Sequence, residues 1–186
     1  MCATLHLRKI GPQFAIRSGS VSDIDTLCAI DTDASTLFTE AGLDLNLPSD
    51  HQFFIAERAR WWRSLESGKT LVMVGSMGTP VGFAASGVRD GEPYLDQLSV
   101  RTHAMRLGLG TALLNATESV ARSDGARALW LTTYSHCPWN RPFYERAGFV
   151  VVRDLECGPE MLAEVTYERR WLPLPDKRVA MRKELA

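Results

Sequence analysis

Cysteine is scarce in this chain of 186 residues, and its spacing fits neither a disulfide framework nor a zinc site. No two cysteines are separated by the C-x-x-C interval, and none has a histidine at a ligand interval. The four are Cys2, Cys28, Cys137 and Cys157. We therefore expect no metal site, and reduced thiols in a cytoplasmic protein.

Long apolar runs and an excess of one charge sign are also missing. No run of about 18 apolar residues exists, so no transmembrane helix is predicted. The opening stretch MCATLHLRKIGPQF holds no apolar segment long enough for a secretory signal. The formal net charge of −1 gives no general reason to expect nucleic acid or an anionic membrane as a partner.

Repeats, low-complexity tracts and linkers are absent as well, and the length fits one domain. We predict an N-terminal arm over residues 1–12 and a single domain over residues 13–186. The patterns indicate a strand, two helices, a meander of three strands, a helix, a strand, a short helix, a strand, a helix and a last strand. This order predicts a mixed α/β (α+β) fold, with a mostly antiparallel sheet of about six or seven strands between helices.

A glycine-bearing loop stands out between the strand predicted over residues 94–100 and the helix predicted over residues 110–123. A helix N-terminus offers unpaired backbone N–H groups and the positive end of the helix dipole. Gly108 and Gly110 would let a phosphate approach these donors, and Arg106 adds positive charge. The third glycine of a dinucleotide fingerprint and the Gly-Lys-Ser/Thr of a Walker loop are absent. The loop alone fits either a phosphate site or a structural turn.

Three segments taken together favour a phosphate site at this loop over a structural turn. A strand ending LSV, a loop ending RLGLGTALL and a downstream PWNRPFYERAGF resemble the acetyl-coenzyme A core of the GNAT superfamily of N-acetyltransferases. The resemblance is close over residues 94–149, and the order of elements agrees over residues 14–185. The family loop usually begins with Gln or Arg, whereas this chain has Met105 there and Arg106 one place later.

The resemblance implies that acetyl-coenzyme A is the co-substrate and assigns residues to it. The backbone of Leu98 and Val100 would pair with the pantetheine arm and thioester, and the amides of residues 106–111 would receive the pyrophosphate. Tyr144, in the Y-x-x-x-G-F pattern, aligns with the tyrosine that often protonates the departing thiolate. The full implied set is Leu98, Ser99, Val100, Met105, Arg106, Leu107, Gly108, Leu109, Gly110, Thr111, Asn140 and Tyr144.

Acetyl transfer to an alkyl amine also needs a proton acceptor, because such amines are mostly protonated at neutral pH. The two-residue period of a strand predicts that Tyr94, Asp96, Leu98 and Val100 share one face. Asp96 is the only carboxylate on that predicted face and is our candidate base. A solvated or hydrogen-bonded structural carboxylate is the alternative.

Residues 18–57 hold eight acidic side chains and no Lys or Arg. In the GNAT family the first two helices commonly wall the acceptor pocket, so a cationic amine is expected, either a small molecule or a peptide terminus. The candidate contacts are Asp31, Asp33, Glu40, Asp44 and Tyr94. The alternatives are that these carboxylates only cap and solvate helices, or that the fold is an acyl-coenzyme A sensor without transfer. The family resemblance also allows a homodimer.

Overall fold

The computed structural model describes residues 11–44, 47–48 and 50–185. Most of the predicted arm, residues 1–10, lies outside the described residues. The described part of the chain forms seven strands and five α-helices. In chain order they are β1 Ala15–Ser18, α1 Ile24–Glu40, α2 Gln52–Glu66, β2 Thr70–Val74, β3 Pro80–Arg89, β4 Glu92–Val100, α3 Leu109–Ser123, β5 Ala128–Tyr134, α4 Arg141–Arg146, β6 Val150–Val152, α5 Pro159–Trp171 and β7 Arg178–Glu184.

The seven strands form one sheet in the order β1-β2-β3-β4-β5-β7-β6. All neighbours are antiparallel except β4 and β5, which run parallel. The predicted mixed, mostly antiparallel sheet is therefore confirmed. β4 and β5 pair only at Tyr94–Trp130 and Leu95–Leu131. Beyond those pairs the two strands separate, which leaves the backbone of each without a neighbour on that side.

A β-bulge at Asp96 changes which way β4 presents its side chains. Ala85 of β3 pairs with Gln97, and the next residue, Ser86, pairs with Leu95, so Asp96 is an extra residue in β4. One inserted residue reverses the alternation of the strand from that point onward.

The predicted common face for Tyr94, Asp96, Leu98 and Val100 was therefore wrong. Leu98 and Val100 pack into the core on the α3 side of the sheet. Tyr94 packs on the opposite side, under α5 with Met161. A strict two-residue count could not anticipate this, because the bulge arises from pairing with β3.

Helices on both faces bury the sheet in two layers. On one side α3 contributes Leu109, Leu113 and Leu114, which are almost completely buried. Burial of each such leucine stabilises the fold by about 2 kcal/mol. On the other side Leu27 of α1 and Trp61 of α2 pack over the sheet.

The apolar periodicity of the sequence breaks at Leu37 and predicts a loop or short helix over residues 37–49, whereas α1 extends to Glu40. The extension is held by Phe38, whose ring lies 6.1 Å from that of Tyr134 and 6.2 Å from that of Trp139. These contacts come from distant parts of the chain.

Among the described residues, no helix is both long and apolar enough to cross a membrane.

Candidate active site

A cavity of about 1120 Å³ opens where β4 and β5 separate. Its walls are α1 and α2, the exposed edge of β4, the loop before α3, β5 and α4, with α5 and β7 at its base. The predicted site residues that line it are Asp31, Glu40, Asp96, Leu98, Ser99, Val100, Met105, Arg106, Gly108, Leu109, Gly110, Thr111, Asn140 and Tyr144. The predicted residues Asp33, Asp44, Tyr94 and Leu107 are not part of this lining.

The loop before α3 is shaped to receive an anion. Arg106 and Gly108 both adopt left-handed backbone conformations, with φ of 63° and 81°. α3 begins at Leu109, and its first three residues line the cavity with backbone amides that have no partner within the helix. A Cβ placed on Gly108 would meet nothing within 4 Å, so space for a ligand remains beside the backbone.

Asp33 serves the loop rather than the cavity. Its carboxylate accepts a hydrogen bond from the backbone N–H of Thr102 at 2.7 Å, which ties α1 to the loop. Leu107 is 53% exposed, so its side chain points away from the site, and only its backbone remains available to a ligand in the cavity.

Tyr144 of α4 and Asn140, the residue immediately before that helix, lie on the β5 side of the cavity. The ring of Tyr144 lies 5.0 Å from that of Phe143 and 5.8 Å from that of Phe149, centroid to centroid. Burial raises the pKa of Tyr144 to about 12, so the phenol keeps its proton at neutral pH. Asn140 precedes α4, and its carbonyl accepts a hydrogen bond from the N–H of Phe143. No helix amide bonds the Asn140 side chain, which leaves it available to a ligand.

Asp31 is fixed at the opposite wall. Its carboxylate accepts hydrogen bonds from Gln97 Nε2 at 2.6 Å and from Ser99 Oγ at 2.7 Å. Burial raises the pKa of Asp31, and the two hydrogen bonds oppose that rise. The bulge makes this arrangement available, because it turns Gln97 and Ser99 toward α1.

Glu57 of α2 also lines the cavity and was not selected from the sequence as a site residue. It lies four residues after Phe53 and four before Trp61, both of which are buried on the inner face of α2. A carboxylate at that spacing in an apolar helical stripe was the signal that could have identified it. Burial, and next the negative charge of Asp31, raise the pKa of Glu57 to about 8.

Asp96 borders the cavity, but its carboxylate is held by two arginines. Its side chain is only 3% exposed, and its Oδ1 lies 3.2 Å from Arg89 and 3.5 Å from Arg60. Glu164 contacts the same two guanidinium groups. Burial raises the pKa of Asp96 to about 6, while the arginines oppose the rise.

Tyr94 is a core residue and does not line the cavity. It is 2% exposed, and its hydroxyl shares a hydrogen bond of 2.9 Å with Thr132 Oγ1. Its side chain leaves β4 before the bulge and therefore lies under α5.

Charge divides the cavity into two ends. Arg106 and Arg146 lie at the end that contains the loop and α4. Arg178 at the base is neutralised by Glu168, to which it donates a hydrogen bond of 2.7 Å. The end formed by α1 and α2 carries carboxylates: Asp31, Glu40 and Glu57.

The mixed sheet with its gap between β4 and β5 fits the family resemblance found in the sequence, and comparison with known families agrees. The sequence model of the Acetyltransferase (GNAT) family matches residues 34–149, which is more than half of the chain. The protein belongs to the GNAT acetyltransferase family.

Solved structures with the same fold include three acetyltransferases and related enzymes. A GNAT-family acetyltransferase from Staphylococcus aureus Mu50 is 15% identical, with a TM-score of 0.69, over 93% of this chain and 99% of that one. The PaiA N-acetyltransferase of Thermoplasma acidophilum, solved with coenzyme A, is 16% identical with a TM-score of 0.66, over 92% and 98%.

N-acetylglutamate synthase from Neisseria gonorrhoeae, solved with coenzyme A and N-acetyl-glutamate, is 18% identical with a TM-score of 0.64. The match covers 93% of this chain but only 35% of that larger one. At these identities the three likenesses establish the fold.

Proposed function

We propose that this protein transfers the acetyl group of acetyl-coenzyme A to a small, positively charged primary amine, by direct attack in a ternary complex. The observation that carries the proposal is the two-ended cavity. One end presents the α3 N-terminus and two arginines, and the other presents carboxylates. An anionic co-substrate and a cationic acceptor would meet at the gap between β4 and β5.

The residues at the loop fit the co-substrate. The amides from Arg106 to Thr111 would hold the pyrophosphate, and the open space beside Gly108 admits it. The backbone of Leu98 and Val100 would bind the pantetheine arm, because β4 has no strand partner on that side beyond Leu95 in the described part of the chain. Asn140 would contact the same arm from its position just before α4. The structures of relatives that contain coenzyme A support this assignment.

When bound, acetyl-coenzyme A supplies the activated acetyl thioester. The protein's own groups then have two tasks: holding the amine and managing its protons. Asp31 and Glu40 would attract the ammonium group from the α1 wall. Tyr144, which keeps its proton at neutral pH, would donate that proton to the departing sulfur.

The test is a measurement of coenzyme A release with a panel of polyamines, aminoglycosides, amino acids and short peptides. Transfer to cationic small amines, with little to amino acids whose carboxylate meets the acidic wall, is the expected result. Preference for peptide N-termini would replace the small-molecule acceptor with a protein one. Binding of acetyl-coenzyme A without turnover on any amine would favour the alternative that the protein is an acyl-coenzyme A sensor.

A further inference from the structure

Glu57 is a carboxylate on the cavity wall that is only weakly engaged by the rest of the protein. Its nearest ion pair, to Arg60 on the same helix, spans 4.0 Å. Among the described residues, no side-chain hydrogen bond engages its carboxylate. By contrast, Asp31 accepts two hydrogen bonds and Asp96 is held by two arginines. Glu40 has no such partner among the described residues either, but it is exposed at the end of α1, so Glu57 is the sheltered carboxylate of the cavity that is freest to exchange a proton with a ligand.

The charges that face Glu57 come from several elements packed around it. They are Asp31 of α1, Arg60 of its own helix, Glu168 of α5 and Arg178 of β7. Arg178 is already paired with Glu168, so the uncompensated neighbour is the carboxylate of Asp31. Asp31 and Glu57 line the same cavity, and two carboxylates that influence each other in this way favour proton uptake by one of them or a bound cation.

We propose that Glu57 is the proton acceptor for the amine in this reaction, with Asp31 as the fixed carboxylate that positions the ammonium group beside it. This inference rests on the proposed acetyl transfer. It replaces Asp96, because the positive charges of Arg60 and Arg89 beside its Oδ1 favour the ionised carboxylate and oppose proton uptake. Asp96 instead holds those arginines against Glu164.

Each proton that moves in the proposed step has a donor and an acceptor. The ammonium group gives one proton to a Glu57 carboxylate oxygen, and the freed nitrogen lone pair forms the N–C bond to the acetyl carbon. The C–S bond breaks, and sulfur leaves with the electron pair and takes the phenolic proton of Tyr144. The second proton lost by the nitrogen restores the phenol, and Glu57 releases its proton to solvent. The pKa of about 8 for Glu57 suits such an acceptor near neutral pH.

The experiment compares wild type, Glu57→Gln and Glu57→Asp with two nucleophiles: the best amine of the panel, and hydroxylamine, which is neutral near pH 7. With the amine, Glu57→Gln should lower kcat by about 10²-fold or more and leave the KM for acetyl-coenzyme A unchanged. It should also remove the rising limb of the pH profile, which is the increase of kcat/KM with pH near pH 8. With hydroxylamine, the same variant should match wild type within about twofold, because no proton need be removed before attack. Glu57→Asp should recover part of the amine activity.

The matched control is Glu66→Gln, the same chemical change at the exposed end of α2, which should behave as wild type. An equal loss with both nucleophiles would show a structural role and overturn the proposal. If Asp96→Asn lost the rising limb of the kcat/KM–pH profile and Glu57→Gln kept it, the proton acceptor would be Asp96. An active wild type with an unaffected Glu57→Gln would refute this inference alone. A wild type that binds acetyl-coenzyme A but acetylates nothing would overturn the proposed function with it.

Discussion

Ser99 of β4 donates a hydrogen bond from its hydroxyl to the carboxylate of Asp31 on α1, over 2.7 Å. The bond connects α1, on the carboxylate-bearing side of the cavity, to β4, whose free edge faces the loop before α3. It forms only because the bulge at Asp96 turns Ser99 toward α1. The position of the acceptor wall is thus set by one extra residue in β4.

We expect Asp31→Asn to weaken binding of a cationic acceptor while the fold is kept. The amide retains an oxygen that can accept the bond from Ser99, but the negative charge is lost. A hydrogen bond to a charged group contributes about 1.5–3 kcal/mol, so the KM for the amine should rise about tenfold or more. Steady-state kinetics check this, with the KM for acetyl-coenzyme A as the internal reference. An unchanged amine KM would remove Asp31 from the acceptor site.

Gly108→Ala should weaken binding of acetyl-coenzyme A through the loop backbone. The residue has a φ of 81°, where an added side chain costs about 1 kcal/mol and projects into the space beside the α3 amides. We expect the Kd for acetyl-coenzyme A to increase about tenfold, measured by calorimetry.

Gly91→Ala is the control for that substitution. Gly91 lies in the β3–β4 turn with a φ of 76° and, like Gly108, has nothing within 4 Å of an added Cβ. Both variants should lose similar stability, but only the change at Gly108 should alter the Kd. Equal affinity in the two variants would argue against the loop as the pyrophosphate site.

Glu57→Gln should make the protein more stable at alkaline pH. In the folded state the pKa of Glu57 is about 8, compared with 4.5 for an unperturbed glutamate. The unfolded chain therefore releases this proton first, and stability is lost as pH rises from about 4.5 to 8. Glutamine removes that loss, which amounts to at most about 5 kcal/mol. Chemical denaturation should show a gain above pH 8 that vanishes below pH 4.5. A constant difference across this range would contradict the raised pKa.

Asp96→Asn should mainly reduce stability. The substitution leaves Arg60 and Arg89 to share Glu164, and breaking a buried ion pair of this kind costs about 3 kcal/mol. Denaturation curves measure the loss. At temperatures where the variant stays folded, its pH profile with the amine should keep the wild-type rising limb.

Much of the fold follows from local signals. The turn glycines, the periodic helices and the order of elements predict the sheet, and the Gly108 loop and Tyr144 stand out through the family pattern. The bulge at Asp96 does not follow, because it depends on pairing between β3 and β4. The continuation of α1 to Glu40 likewise depends on Phe38 packing against Tyr134.

The candidate site divides in the same way. The candidate residues of the loop before α3 and of α4 lie in continuous sequence motifs, so they can be identified from the sequence alone. The acceptor wall is assembled from α1, α2 and β4, so its chemistry depends on distances between separate segments. Glu57 shows this: its helical spacing hints at burial, but its proximity to Asp31 appears only in the folded chain.

The central claim is tested most directly by coenzyme A release and acetylated amine formation, measured together for wild type and Tyr144→Phe. Phenylalanine keeps the ring packing against Phe143 and Phe149, so the fold and the Kd for acetyl-coenzyme A should be unchanged. We predict equal amounts of the two products in wild type, and a kcat at least about tenfold lower in the variant, about 1.4 kcal/mol in the barrier. Failure of the wild-type protein to bind acetyl-coenzyme A, or to form any acetylated amine, would contradict the account.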